Sequence, residues 1–560
     1  ARILQTAAVL GREFTLPVLC GVRAQDPDTA LDLLDTAVAA GLIREEGIGE
    51  FVFAHALVRD HIYSVSAPTR RASVHARAAQ TLADLGGRGS EIAHHWLSAG
   101  PAHRARAWRA ARDAAHQAAA VFADDESVGL YTAALKALPG DPTADASDEF
   151  ELLLDLAECH RRRGDWTALE EPLRAAISLA HRTGNGIWLA RAGVLPSRGS
   201  AWFSVGVGDQ NDDVVEALRE ALTMLSAETS REASALRAEV MLALANEIYY
   251  TSPFAERREL VASATSIAIE LGDDRLELDA MLAGQQALWS ANNAEQRLTM
   301  LERAKELALR VGDVDSRILA TSLCANAHAQ LGHPERMWPL LDIALADARR
   351  RRRPFLVMVV LSTAVTWHAM SGDFTRARAL ADEYFQLEHR VRLAQSPVAS
   401  MGIRLGIALW DGSLSAVAPH FSGPVIDQMP VGCFRAALYI RIGDRDAARD
   451  SIVVDPGLSS HDWYSLAEWA AAGEVAAHLE RPDLGRQAYD LLAPMTGWSV
   501  NAGAGTAIGP ADAFLALAAF SMGDTELASR HADDAEHLMD QWRIPPVRQW
   551  FAGERDRFGF

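Results

Sequence analysis

The sequence predicts a mainly α protein in which a small winged-helix domain is followed by an α-α superhelix of tetratricopeptide-like repeats. Three observations carry this prediction. Near the start, "LIREE" and "EFVFAH", joined by "GIG", alternate like a two-stranded wing between helical segments. Further on, helices are separated by turns that share one phrase: "RRGDW", "LGDD", "VGDV", "LGHP", "SGDF", "WDGS", "IGDR" and "MGDT". Small residues then follow these turns in a recurring way, as in "GDFTRARALADEYFQ" and "GDTELASRHADDAEH".

In chain order, "RILQTAAVL", "LPVLCGV" and "ALDLLDTAVAAGL" have the apolar spacing of three short helices. The wing follows, and "ALVRDHIYSVSA" and "PTRRASVHARAAQTLADL" return to helical spacing, with Pro68 suited to a first helical turn. This places a winged-helix domain at 1–86 and a helical connector with the first repeats at 87–187. An irregular segment at 188–210 precedes the superhelix, 211–560. Within the array, glycine provides the left-handed helix stop, and the next Asp or Ser caps the following helix. Gly272 to Gly312, Gly332 to Gly372 and Gly372 to Gly412 are each 40 residues apart, room for two helices per repeat. Small residues let neighbouring helices approach closely, the packing logic of tetratricopeptide repeats at a period longer than the usual one of about 34. Residues 494–512, "PMTGWSVNAGAGTAIGPAD", break the pattern and read as a loop or damaged repeat.

Composition narrows the function. With 560 residues, 49% of them hydrophobic, the chain is too long for one ordinary domain. It opens on "ARILQTAAVLGREF", with no initiator Met and helical spacing already under way, so a piece of a larger protein is expected. A net charge of −20 argues against a broad nucleic-acid surface. Cys20, Cys159, Cys324 and Cys433 are far apart and form no CxxC, so a reducing, cytoplasmic setting without structural zinc is expected. The most apolar stretch, 354–370, falls short of a membrane span.

"FAHALVRD" carries a more specific signal. Ala54-His55-Ala56-Leu57-Val58-Arg59-Asp60 resembles the Met-His-Asp-Leu-Val-Arg-Asp stretch of STAND signal-transduction ATPases, the group that includes NB-ARC proteins and large bacterial regulators of maltose-activator type. The flanking "ILQTAAVLGREF", "LLDTAVAAGLIREE" and "EIAHHWLSAG" are similar to the segment joining ATPase to repeats in such regulators, and in adenylate cyclases of class III fused to the same ATPase and tail. The resemblance implies that the winged helix packs on an upstream nucleotide-binding domain and that His55 touches the β-phosphate of bound ADP. Ala56 stands where the family has Asp, which puts the contacts of that acid in question. From the residues alone, a histidine satisfied by a backbone carbonyl at a strand-to-helix corner is the better reading of His55, and the flanking resemblance reverses that order.

Other chemistry is missing or has plainer explanations. There is no GxxxxGK[ST] phosphate loop, no HExxH and no GxSxG, and the two lysines, Lys136 and Lys305, sit in helical contexts. The chain is therefore read as non-enzymatic, with ATP or ADP expected only upstream, in a parent that is an ATPase or a cyclase. Zinc at His55, His61 and His75 is disfavoured because they fall on different elements without an acidic or thiol partner. Arg59, Arg70, Arg71 and Arg77 suggest either a DNA-reading helix or, better under this net charge, a solvated or domain-facing surface. The run Arg349 to Arg353 suits a helix C-terminus. Asp533 and Asp534 near His531 and His537 read as a solvated helix face, and "NAGAGTAIG" as a packing loop rather than a phosphate cradle.

Stepping by 40 through successive first helices gives Asn246, Gln286, Asn326, Thr366 and Gly406. The four polar members form a candidate ligand row along the groove, with Tyr249, Tyr250, Trp289, Trp367 and Trp410 as flat apolar neighbours. The plainer alternative is that the aromatics fill gaps between helices and the amides face water. The functional expectation is a regulatory segment, by resemblance that of a transcriptional regulator, whose repeats bind a small-molecule or peptide inducer or a protein partner. The winged helix would hold an ADP-bound off state, with no direct contact to nucleic acid or membrane and with oligomerisation on activation left open. The alternatives are a protein-interaction scaffold or the regulatory tail of a cyclase.

Overall fold

The structure, a computed structural model, describes residues 2–121, 123–198, 205–391, 395–423, 427, 429–454 and 458–560. Part of the irregular segment, 199–204, lies outside the described residues. The chain divides into two compact units, Ala1–Gly184 and Asn185–Phe560, so the stretches 1–86 and 87–184 belong to one unit.

The first unit opens with α1 (Arg2–Leu10), β1 (Glu13–Thr15), α2 (Leu16–Arg23), α3 (Pro27–Ala39), β2 (Ile43–Gly47) and β3 (Glu50–Phe53). The strands form one antiparallel sheet in the order β1-β3-β2. The alternating hairpin of the sequence is β2–β3, with a register shift between Glu45 and Gly47. The unexpected member is β1, which pairs Phe14 with Phe51. Phe14, Phe51 and Phe53 close the sheet over α1 and α2, in a core that includes Leu19, Leu34 and Ile43. Then follow α4 (Ala56–Ser64), α5 (Pro68–Asp84), α6 (Gly89–Leu97), α7 (Arg104–Ala120), α8 (Asp124–Ala137), α9 (Ala146–Arg163) and α10 (Trp166–Thr183). Pro68 opens α5, where its missing N–H costs nothing.

The second unit is a superhelix of helical hairpins. It begins with α11 (Gly186–Val194), α12 (Asp212–Leu225), α13 (Arg231–Glu247), α14 (Phe254–Leu271), α15 (Asp274–Ala287) and α16 (Ala294–Arg310). Next come α17 (Val314–Gln330), α18 (Pro334–Arg350), α19 (Pro354–Met370), α20 (Phe374–Glu388) and α21 (Ser396–Asp411). The 40-residue period is visible in the starts of α14, α16, α18 and α20 at 254, 294, 334 and 374. The repeat-turn glycines all adopt positive φ, and Asp273, Asp313 and Asp373 accept from the backbone of the next helix as caps.

The array continues through α22 (Leu414–Val417), α23 (Gly432–Arg441), α24 (Arg445–Val454), α25 (Ser465–Leu479) and α26 (Pro482–Leu492). The expectation of a loop or damaged repeat at 494–512 is corrected here. This stretch contains an antiparallel hairpin, β4 (Ser499–Ala502) and β5 (Thr506–Pro510). It packs against α17, α19 and α21 on the inner side of the repeats. Nearly every residue of both strands is buried, which removes the in-out alternation by which strands are recognised in sequence. The unit ends with α27 (Ala511–Ser521), α28 (Thr525–Trp542) and α29 (Pro545–Phe558). No helix among the described residues is long and apolar enough to cross a membrane.

Candidate functional site

The polar row predicted from the 40-residue step lies on the inner helices, and its members have different tasks. Asn246, at the end of α13, donates from Nδ2 to the carbonyls of Leu242 (2.9 Å) and Ala283 (3.2 Å), the second on the next inner helix. Asn326 on α17 donates from Nδ2 to Gly503 O at 3.4 Å and approaches Thr363 Oγ1 at 3.5 Å. Thr366 on α19 accepts from the backbone N–H of Ala507 at 2.9 Å. A Cβ added at Gly406 on α21 would lie 2.9 Å from Thr366 Oγ1 and 3.1 Å from Gly505 O, so glycine here makes room for the hairpin. Gln286 on α15 differs: its Oε1 is buried without a protein partner and faces a cavity.

The hairpin is thus held in the groove by polar side chains on two successive inner helices, α17 and α19, while the glycines of α21 let it approach. Thr506 Oγ1 adds a bond to Gly402 O at 3.1 Å. At the base of the hairpin, Gly497 N donates to the buried carboxylate of Asp512 at 2.7 Å. The Gly497 carbonyl passes 2.4 Å from where a Cβ on Gly332 would sit, so the repeat-turn glycine ending α17 also permits this close approach.

The cavity lies between the hairpin turn and the inner helices and has a volume of about 150 Å³. Gln286, Leu323, Ser362, Gly402 and Leu405 come from α15 to α21; Phe434, Arg435 and Leu438 come from α23. Trp463 and Tyr464, ahead of α25, and the hairpin turn Ala502–Thr506 complete the wall. Most of its polar groups are already bonded. Ser362 Oγ donates to Met358 O, and Tyr464 OH to Asp462. Two polar atoms on lining residues are buried without protein partners: Gln286 Oε1 and Arg435 Nε. Arg435 Nη1 pairs at 2.7 Å with the half-exposed Asp427, and among the described residues no Asp or Glu lines the cavity.

The predicted aromatics divide into two groups. Tyr249, Tyr250 and Trp289 lie beside the cavity rim. Tyr249 OH donates to Trp289 O at 2.6 Å and accepts from Trp463 N, while Tyr250 OH accepts from Trp463 Nε1 (2.9 Å) and Gln395 Nε2 (3.0 Å). Burial pushes both phenols above the usual range, which keeps them protonated as donors. The bonds to Gln395 and Trp463 tie segments 145 to 214 residues apart. Trp367 and Trp410 are directed elsewhere, against Trp542 and Trp550 at ring distances of 6.0 and 6.1 Å. Sequence reasoning missed Gln395, Arg435 and Trp463 because they lie outside the regular 40-residue register.

A second repeat feature accompanies the rim. Arg257 stacks over Tyr249 at 4.3 Å, and Arg297 stacks over Trp289 at 4.0 Å, 40 residues on in both members. Arg297 is buried and bonds Gln330 Oε1 at 2.9 Å, with burial lowering its pKa to about 9. These stacked arginines fill the gaps between repeats, and neither lines the cavity.

In the first unit, His55 is exposed at the N-cap of α4 and makes no side-chain cap. Leu57 and Ile48 beside it in sequence are 81% and 104% exposed, and α4 buries no residue fully. Arg59 and Arg71 turn inward: Arg59 Nε donates to Ala8 O, and Arg71 Nη1 to the carbonyls of Tyr63, Ser64 and Ser66. Arg70 and Arg77 are exposed. His61 is exposed too, whereas His75 is buried and meets His95 Nδ1 to Nδ1 at 2.8 Å, so His55, His61 and His75 do not converge. The two buried imidazoles are shifted down to about 3 and about 4, chiefly by burial and secondarily by neighbouring histidines.

Asp512, His531 and Asp534 place one potential metal-ligand atom each within 4.8 Å of one another. Both nitrogens of His531 are used within the protein, by Asp512 at 3.2 Å and Tyr489 at 3.1 Å. Only part of this helix face is solvated: Asp533 and Asp534 are exposed, Asp533 bonds Arg555, and His531 is half-buried. In the arginine run, Arg351 and Arg353 both pair with Asp315 at 2.7 Å and Arg349 pairs with Glu383, so acids offset this charge between helices.

No family model matches the chain, and no curated protein matches it. Among solved structures, the STAND protein with a tetratricopeptide repeat sensor from Pyrococcus horikoshii aligns at 13% identity and TM-score 0.32, over 74% of this chain and 64% of that one. This chain therefore spans less than two thirds of that protein's length. A Rap protein complexed with competence and sporulation factor aligns at 12% identity and TM-score 0.37, over 78% and 98% of the two chains. The Cut9-Hcn1 hetero-tetramer structure aligns at 12% identity and TM-score 0.48, over 87% and 83%.

Proposed function

We propose that the chain is the sensor segment of a STAND-type signal transducer, a transcriptional regulator by the resemblance in its first part, and that the superhelix binds a small inducer in the cavity beneath the hairpin. The observation that carries this reading is the Gln286 carbonyl, buried without a protein partner on the wall of a largely apolar cavity. A buried carbonyl without a partner costs about 1–3 kcal/mol, so a ligand that donates to it gains what the empty fold lacks. In the first unit, exposed His55, Leu57 and Ile48 would meet an upstream nucleotide-binding domain, where His55 would sense ADP.

The superhelix reading is tested by thermal-shift and calorimetric screening of the chain against small organic molecules, repeated on Gln286→Leu and on Val398→Phe, which would fill the cavity from Val398 on its wall. Hits lost in both variants are expected. Hits unaffected by either would put the inducer elsewhere. For the first unit, His55→Ala in the longer parent should speed loss of bound ADP while leaving the chain's own thermal midpoint unchanged, because the side chain is exposed. Unchanged ADP retention would remove His55 from the switch and favour a plain interaction scaffold.

A further inference from the structure

We infer that the cavity selects a compact hydrophobic carboxylic acid, with the carboxylate at Arg435 and the apolar body among the inner helices; this rests on the cavity being the ligand site. Three features of the lining point the same way. Among the described residues its fixed charge is of one sign: Arg435 lines it without an Asp or Glu, and the acid that pairs with Arg435, Asp427, lies outside the lining and is half-exposed. The Nε of Arg435 is buried and has no protein partner, while Nη1 is engaged, so a donor of the guanidinium edge remains for an acceptor. Much of the remaining wall is apolar, with Leu323, Leu405, Phe434 and Leu438 beside the polar Gln286, Ser362, Gln395, His420 and Thr506, around a volume of about 150 Å³, comparable with cavities that take up benzene.

A neutral apolar ligand would leave the Arg435 Nε unpaired after displacing any water that could reach it. An anionic head group would give it a charge-assisted bond. A cationic ligand would find no carboxylate on the cavity wall, among the described residues, to pair with. Gln286 offers a second polar point, suited to a hydroxyl or N–H on the ligand body. An acid that carries such a donor should therefore bind better than its unsubstituted parent.

The experiment measures binding of benzoate, phenylacetate, hexanoate and mandelate, each paired with its neutral amide, to the full chain. Calorimetry and the fluorescence of Trp289 and Trp463, both on the cavity wall, report binding. The acids are expected to bind more tightly than their amides by about tenfold or more, as a hydrogen bond to a charged group implies. Arg435→Gln should abolish this preference while the amides still bind, and Arg435→Lys should restore part of it, which separates loss of charge from loss of fold. Amides binding as tightly as acids would overturn the carboxylate assignment but keep the cavity as a ligand site. No binding by either series, with tryptophan emission unchanged, would overturn both and leave a water-filled cavity.

Discussion

Thr366→Val isolates the contact that seats the hairpin. Thr366 Oγ1 accepts from Ala507 N at 2.9 Å, and both residues are buried, at 1% and 0% exposure. Valine keeps the shape but removes the acceptor, so the Ala507 N–H is left unpaired away from water. The expected cost is about 1–3 kcal/mol. If the hairpin opens locally, that cost raises its open population about 5- to 150-fold. Hydrogen exchange at the amides of 500–508 should accelerate by that factor, while α13 to α16 remain protected. If instead the whole second unit unfolds together, a cost of about 2 kcal/mol spread over the unfolding entropy of a unit this large lowers the midpoint by only about 2–3 °C. Gly406→Ala should act in the same direction, since its new methyl meets both Thr366 Oγ1 and Gly505 O. A lower midpoint with unchanged hairpin exchange would refute the docking argument. So would no change in either, since Ala507 would then have another acceptor.

Two further predictions concern buried ionisable groups. The folded-state pKa values of His75 and His95, about 3 and about 4, lie below the ordinary histidine value, so the unfolded chain binds more protons in the window between. Stability contributed by the neutral pair is present above about pH 6.5 and is lost as pH falls toward the folded values; from pH 7.5 to 5.5 the first unit should lose about 3 kcal/mol in urea titrations, and His95→Gln should roughly halve this dependence. A flat profile would mean that the pair is already protonated or open. Arg441 and Glu474 form a buried bidentate pair at 2.8 Å under the Trp550 ring, so Glu474→Ala should destabilise by about 3–5 kcal/mol in chemical denaturation. The double variant Arg441→Met/Glu474→Leu should recover most of that loss, because the arginine is then not left buried alone. Equal losses in both would show that packing, not the uncompensated charge, sets the cost.

The sequence makes local periodicity legible and long-range filling illegible. Gly272, Gly312, Gly332, Gly372 and Gly412 mark helix stops because each repeat needs the same left-handed turn. Pro68 and the hairpin around Gly47 are likewise readable, since their signals lie within a few residues. The three residues of β1 pair with a strand some 37 residues later and, although they alternate, are too few for a period to be read, so nothing local announces them. The step of 40 found Gln286, which faces the cavity, and also Asn326 and Thr366, which the hairpin uses. It could not tell these cases apart, because the difference depends on residues 499–510, far away in the chain. Arg435 and Trp463 enter the cavity wall only through that same tertiary arrangement.

The hairpin decides which kind of ligand the inner face of the repeats can read. An extended peptide would need the backbone bonds that Asn326 and Thr366 already give to Gly503 and Ala507, and would have to displace a buried hairpin to obtain them. A small molecule in the cavity needs no such exchange, because the turn Ala502–Thr506 forms one of its walls. Such a ligand touches both the hairpin and the helices, so it binds the seated arrangement more tightly than an open one. By linkage, an affinity ratio of about tenfold between the two arrangements shifts their balance by about 1.4 kcal/mol. That is comparable with the hydrogen bond Thr366 supplies to the hairpin. Thr366→Val should therefore weaken ligand binding without touching the ligand, and saturating ligand should slow hairpin exchange in the variant back toward the parent rate. Weakened binding without that recovery would separate the cavity from the hairpin and confine the ligand's effect to the helices.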